Sequence, residues 1–295
     1  MQLQTKPQTT DNNAQVTLNA QPKTVGTTLV LGGTGKTGRR VVERLEARGL
    51  PVRVGSRSAE KPFEWQDPTT WAPALENVAS VYITYYPDLA VPGAPDTIRA
   101  LVEQAVQSGV GHLILLSGRG EKEAERCEAI VQGSGVDWTI LRASWFSQNF
   151  SEAFLRDLLL EGVVALPTGD VQEPFISADD IADVAVAALT EPGHAGQLYE
   201  LTGPRLMTFA EAVAEIAQAT GREVTYVPIS LEAFIAALTE QGIPTNFVAL
   251  LQYLFEKVLD GHNAYLTDGV QRALGRAPQD FTVYAQATAA SGAWN

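Results

Sequence analysis

One stretch limits what this chain can fold into more than any other: Thr27 to Arg40, TTLVLGGTGKTGRR. The apolar run Leu29-Val30-Leu31 meets Gly32-Gly33. Beyond Gly38 the period changes, so that Val41, Val42 and Leu45 share a helical face and Gly49 marks the stop. The spacing predicts a strand, a tight glycine turn and a helix. That order leaves backbone N–H groups and the positive end of a helix dipole at the turn, where a pyrophosphate is held.

The glycines form two overlapping patterns: Gly33, Gly35 and Gly38 as G-x-G-x-x-G, and Gly32, Gly35 and Gly38 as G-x-x-G-x-x-G. One permits the turn, one lets phosphate approach the backbone, and the last lets helix pack on strand. Thr34, Lys36 and Thr37 complete the expected cradle. Gly35-Lys36-Thr37 invites a P-loop reading, but the glycine such a loop needs five residues earlier is Val30. The reading is a dinucleotide site, against a merely structural turn.

The second strand, Pro51 to Gly55, selects the cofactor. It leads into Ser56-Arg57-Ser58, about twenty residues past the glycines, where an NAD site carries an acid for the ribose hydroxyls. The nearest acid is Glu60. Arg57 offers a planar fork to a 2′-phosphate, with Ser56 and Ser58 as neutral donors, so NADP(H) is expected. The bland alternative is that Arg57 is a solvated loop charge.

Composition narrows the class. The chain has 295 residues, enough for one large α/β domain and a smaller appended one. A formal charge of −13, with no Lys/Arg run, argues against nucleic acid or an anionic membrane as partner. The single cysteine, Cys127, excludes a disulfide framework and reads as a passive thiol. His112, His194 and His262 are scattered without ligand-like spacing, so no metal is expected, and there is no G-x-S-x-G elbow. Residues 1–24 are polar and read as a disordered tail. No stretch reaches the length of a membrane span, and a cytoplasmic protein is expected.

Along the rest of the chain, strands and helices alternate, which predicts a doubly wound parallel sheet. Expected strands are Phe63-Glu64-Trp65 at an edge, Val78–Thr84, His112–Leu116, Val136–Leu141 and Gln197–Leu201, with Glu223–Ile229 in the smaller domain. Ser177 with Asp180 and Thr208 with Glu211 resemble capping boxes. Leu231 to Leu259 is expected to be mostly helical, its aromatic residues forming an outer pocket wall. The domain boundaries read as 25–204 for the dinucleotide domain and 205–295 for the substrate domain, with 150–172 contributing to the pocket.

Strand ends carry the candidate site. Thr84-Tyr85 and Ser117-Gly118 are expected to complete the cofactor pocket. Tyr85 and Tyr86 read either as rim packing or as rings stacked on nicotinamide or substrate. Trp145, Phe146 and Phe150 supply an apolar wall and Asn149 a polar handle, unless they are ordinary core residues. Arg119 is a further candidate contact to substrate.

The order LVLGGTGKTGRRV, GSRS, YITYYPD, SGRGE, GVDWTILRASWFSQNF, EPFISADDIADVAVAAL resembles the NmrA-like family of atypical short-chain dehydrogenases, and within it the subgroup of ergot-alkaloid reductases. The resemblance runs from about residue 27 to the C-terminus. It implies an NADP(H)-binding Rossmann domain, a small substrate domain, and a pocket beside the nicotinamide at Ala143–Phe150. Typical short-chain dehydrogenases pair a serine with Tyr-x-x-x-Lys. Here the helix after Ser117 reads EKEAERCEAIV, without a tyrosine, and Lys122 falls too early. Ser117 is left as a donor to substrate or nicotinamide amide, or as a helix cap, with Tyr85 and Tyr86 as other catalytic candidates. The expectation is hydride transfer to a small apolar electrophile (an enone, quinone or iminium) needing no dedicated proton donor. The other reading is a non-catalytic NADP(H) sensor acting through a protein partner, as some NmrA-like proteins do.

Overall fold

The computed structural model describes residues 26–295; the polar tail expected over residues 1–24 lies outside the described residues. The chain opens with β1 (Thr27–Leu31), α1 (Lys36–Ala47) and β2 (Val52–Gly55), the strand-turn-helix unit of the glycine motif followed by its parallel neighbour. Next come α2 (Trp71–Leu75), β3 (Val78–Ile83), α3 (Ala94–Gln107), β4 (His112–Gly118), α4 (Lys122–Gln132) and β5 (Asp137–Ala143). Two short helices, α5 (Asn149–Glu152) and α6 (Phe154–Glu161), lead to β6 (Val163–Leu166) and β7 (Gln172–Glu173). Then α7 (Ala178–Thr190) and β8 (Gln197–Leu201) return to the main sheet. The remainder is β9 (Met207–Thr208), α8 (Phe209–Thr220), β10 (Thr225–Pro228), α9 (Leu231–Glu240), α10 (Thr245–Tyr253), α11 (Gly269–Leu274) and α12 (Phe281–Ala290).

Six strands form one parallel sheet in the order β2-β1-β3-β4-β5-β8, with helices on both faces, a Rossmann-like α/β fold. After β2 the chain crosses back to place β3 on the far side of β1. That reversal is the switch point outside whose carboxyl ends such sheets bind ligands. Both faces are covered, so the central strands are apolar throughout: Leu29, Val30 and Leu31 have no exposed surface.

Helix α1 is held from two sides. Its buried Val41, Val42 and Leu45 face the sheet, each worth roughly 1.5–3 kcal/mol when fully enclosed. Its basic face meets the acids of α7: Arg40 Nε lies 3.3 Å from Asp179, and Arg44 reaches Asp179 at 2.8 Å and Asp183 at 2.6 Å. The N-terminus of α1, which faces the glycine turn, is therefore fixed in direction.

Two local expectations are corrected. Phe63-Glu64-Trp65 forms no strand; Glu64 makes only an isolated bridge to Asp67. The carbonyl of Glu64 accepts from the indole of Trp71 at 2.9 Å, and its N–H donates to Thr70 Oγ1 at 3.0 Å. Side chains have claimed the backbone groups a strand would use, while the rings of Phe63, Trp65 and Trp71 pack together. The capping box at Ser177 is half made. Ser177 accepts from the Asp179 N–H, but Asp180 turns inward to Arg276 at 2.6 Å and to the Gln279 N–H at 2.7 Å. The box at Thr208 closes fully, with Glu211 returning to the Thr208 N–H at 2.7 Å.

A second core gathers Phe150, Phe175, Phe209 and Phe281 with residues of α6, α8, α9, α10 and α12. Beside it, β6 and β10 pair in parallel. Arg205 clamps this unit, bonding Glu215 of α8 and Asp280 before α12 at 2.8 Å each and holding the Asp280 carboxyl down at about 2. The two units interleave in sequence: residues 150–166 pack with the second core, whereas Val270 of α11 returns to the sheet core beside α7.

Candidate active site

The glycine turn after β1 is a cradle in which side chains have no room. Gly32 has φ +63°, and a Cβ there would lie 2.2 Å from Thr84 Oγ1, which itself donates to the Leu31 carbonyl at 2.9 Å. A Cβ on Gly38 would sit 2.2 Å from the Gly32 carbonyl oxygen, so only glycine lets α1 press onto the turn. Gly35 caps the helix with no side-chain acceptor for the leading N–H groups, and Thr34 and Gly35 face solvent. The first-turn amides thus stay open to a phosphate. A dinucleotide fits this geometry: backbone donors, helix dipole and bare Cα atoms converge on one spot. Thr37 is buried against the turn, and Lys36 lies beside Glu152, its ammonium pK lowered by burial.

At the carboxyl end of β2, the Arg57 side chain is 85% exposed and touches Glu64 only loosely, at 3.8 Å. Its fork is free to take an anion. Ser56 and Ser58 stand together with hydroxyls 3.5 Å apart. The turn is anchored by the Gly32 N–H donating to Gly55 and by Phe63 N–H donating to Ser56. The cradle and Arg57 therefore occupy adjacent strand ends.

The ends of β3 and β4 are less simple than the sequence pattern. Tyr85 packs edge-on against Trp65 at 4.7 Å, as part of a rim cluster, whereas Tyr86 is 73% exposed. Ser117 neither caps α4 nor offers a free hydroxyl: it is buried and donates to Glu128 at 2.6 Å. Glu128 is paired in turn with Arg142 of β5. Gly118 is pressed by Glu121, whose Oε1 would be 2.1 Å from any Cβ there. Glu121 faces Asp88 from the loop after β3. Burial pushes both carboxyls up, Glu121 well up, with the charge of Asp88 adding to it.

Past β5, the expected apolar wall divides. Trp145 is half-buried against the second core, its ring 5.9 Å from Phe209 and 6.0 Å from Phe255. Phe146 packs on the sheet core and bridges to Ile176. Phe150 has no exposed surface and is ringed by Phe175, Phe209 and Phe281, so it braces the wall from behind. Asn149 opens α5, partly accessible, its N–H bonded to the Phe146 carbonyl. Arg119 is enclosed, its guanidinium 4.1 Å over the Tyr265 ring and its Nε 2.8 Å from Glu200.

One residue escaped the sequence reading. Glu173, in β7, is 2% exposed, and burial pushes its carboxyl up to about 7 against the opposing pull of Arg119 and the Trp145 N–H. Glu173 opens the segment EPFISADD, but nothing in the sequence marks a role for the acid itself, and its neighbours Arg119 and Trp145 come from segments far away in the chain. Cys127 is buried, its thiol pushed up to about 12 mainly by desolvation, and plays no part in this edge. Among the described residues no three His, Cys, Asp or Glu gather as a metal site, and no helix is long and apolar enough to cross a membrane.

An NAD(P)H-binding family model matches residues 32–192. The chain is 32% identical to an NAD(P)H azoreductase of Xenophilus azovorans, the match covering 89% of this chain and 98% of the relative. It is 31% identical to an agroclavine dehydrogenase of Claviceps fusiformis, over 86% and 94%. An NADPH-dependent quinone oxidoreductase of Escherichia coli, solved with NADPH, superposes with a TM-score of 0.74 at 22% identity, over 88% and 99%. The fold and the glycine cradle define a Rossmann-type dinucleotide-binding protein. The chain belongs to the NAD(P)H-binding family and is an NAD(P)H-dependent oxidoreductase.

Proposed function

We propose that the protein uses NADPH to reduce small, largely apolar electrophiles: enones, quinones or iminium ions. The observation that carries the reading is the pairing of an open Arg57 beside the glycine cradle with a half-buried Trp145 on the same sheet edge. Reduced dinucleotide supplies the hydride; the chain supplies position, dryness and charge. The cradle and Arg57 hold the cofactor's central pyrophosphate and its 2′-phosphate, the second by a charge-assisted fork. Trp145, backed by Phe209 and Phe255, offers an apolar surface against which a flat substrate lies. Tyr86 offers a second ring at the rim.

Two relatives are consistent with this class by their names alone, one an azoreductase and one a dehydrogenase of agroclavine. Ser117 enters as a post rather than a donor, since its proton is committed to Glu128. The test is steady-state oxidation of NADPH and of NADH with a panel of enones, quinones and cyclic iminium ions. The reading expects turnover with at least one class and a preference for NADPH. Tight NADPH binding without turnover across the panel would leave the sensor reading in its place.

A further inference from the structure

Three buried polar atoms on the substrate edge have no hydrogen-bond partner: Arg119 Nη1, Trp145 Nε1 and Glu173 Oε1. Each such atom costs on the order of 1–3 kcal/mol, and folded proteins hold few of them. These three sit on segments tied together by backbone bonds. The Arg119 N–H donates to Ala143 at the end of β5, and Trp145 follows two residues on. The Trp145 carbonyl accepts from Ile176, the Ser144 hydroxyl donates to Pro174, and the Trp145 N–H points to the Glu173 carboxylate. A cation, an indole N–H and a carboxyl are thus held on one small patch of the edge where this fold binds its ligands.

The rest of each side chain is occupied. Arg119 spends Nη2 on the Tyr265 carbonyl at 3.3 Å, its Nε faces Glu200, and its plane lies on the Tyr265 ring. What remains is the Nη1 group with its two N–H donors, which with the indole N–H are the donors on this patch left for a substrate oxygen. Glu173 is faced by Arg119 from the end of β4 and, more weakly, by Asp260 from the loop before α11, itself bonded to His262. The Arg119 side chain is only 2% exposed, so neither Nη1 nor Glu173 Oε1 is satisfied by bulk solvent.

Building on the reductase reading, we propose that Arg119 and Trp145 bind the oxygen of a carbonyl-type substrate and that Glu173 delivers the proton that completes its reduction. The balance is simple. Hydride from the reduced dinucleotide forms the new C–H bond on the electrophilic carbon, and the displaced π pair moves to oxygen. The Glu173 O–H bond breaks, its proton joins that oxygen, and the carboxylate left behind regains a proton from water. In this role Glu173 replaces the tyrosine missing from α4, and the anionic oxygen is stabilised by the Arg119 charge as it forms.

The test pairs a structural readout with a kinetic one. Infrared difference spectra of the ligand-free protein, taken between about pH 6 and about pH 8, should show one protonated carboxyl band lost as pH rises, and Glu173→Gln should lack it. With a carbonyl substrate, kcat should fall as pH rises through about 7. Glu173→Gln should flatten that profile and lower kcat by about 100-fold or more, with KM changed less than about threefold. An unchanged band and profile in Glu173→Gln would overturn the assignment. So would a profile flattened by Glu121→Gln instead, which would move the proton to the Asp88–Glu121 pair. The infrared arm needs no turnover, so its result stands even if the substrate class is wrong.

Discussion

The turn after β1 and the edge where Arg119 and Trp145 follow β4 and β5 and Glu173 lies beside them are built differently, and we propose that they hold ligands by different means. The turn works with main chain: N–H groups, a helix dipole, and glycines at which a Cβ would meet backbone or side chain at 2.2 Å. It is assembled within one short segment and open to solvent at Thr34 and Gly35. The edge works with buried side chains from three distant segments, and it keeps polar atoms unpaired. The first suits the phosphate of the cofactor, the reactant common to every turnover. The second suits the variable partner, because desolvated groups discriminate strongly between molecules that satisfy them and molecules that do not.

The largest expected effect falls on the turn. Gly35→Val keeps the local backbone accessible, since the residue has φ −84° and its Cβ would be 3.2 Å from the Gly32 carbonyl, but it fills phosphate space. Isothermal titration should show NADPH and NADH binding both weakened by about a thousandfold or more. Retained affinity for either would show that the cradle does not hold the phosphates.

Arg57→Glu comes next and separates the 2′-phosphate from the rest. NADPH affinity should drop by about 10- to 150-fold, the scale of one lost charge-assisted contact at ~1.5–3 kcal/mol, with NADH changed far less. Equal losses would make Arg57 a surface charge. Smallest is Ser117→Ala. Glu128 keeps its bonds to Arg142, so the variant should lose roughly 1 kcal/mol of stability in urea and less than about tenfold in kcat. A thousandfold loss of kcat would place the serine hydroxyl in the chemistry after all.

What could be read in advance follows from how local each feature is. The β1 turn, the Thr208–Glu211 box and the alternation of strands and helices depend on residues within a few positions of each other, and they stand where the sequence puts them. The failures are places where a distant partner outbid a local preference. Glu64 lost its strand to the Trp71 indole and the Thr70 hydroxyl. Asp180 left its cap for Arg276. Ser117 stands at the expected strand end, but the acid on α4 that occupies its proton lies eleven positions on. Glu173 opens the EPFISADD segment but showed no role there, because its character comes from burial beside Arg119 and Trp145, not from its neighbours in the chain.

The central claim is that this sheet edge carries out hydride transfer and does more than bind the cofactor. The direct measurement uses NADPH doubly deuterated at C4, mixed in a single turnover with the enone or iminium ion from the panel that oxidises it fastest, and mass analysis of the product. The account predicts one deuterium on the electrophilic carbon of the product, with Gly35→Val giving none. NADPH bound at the turn with no deuterium passed to any member of the panel would contradict it.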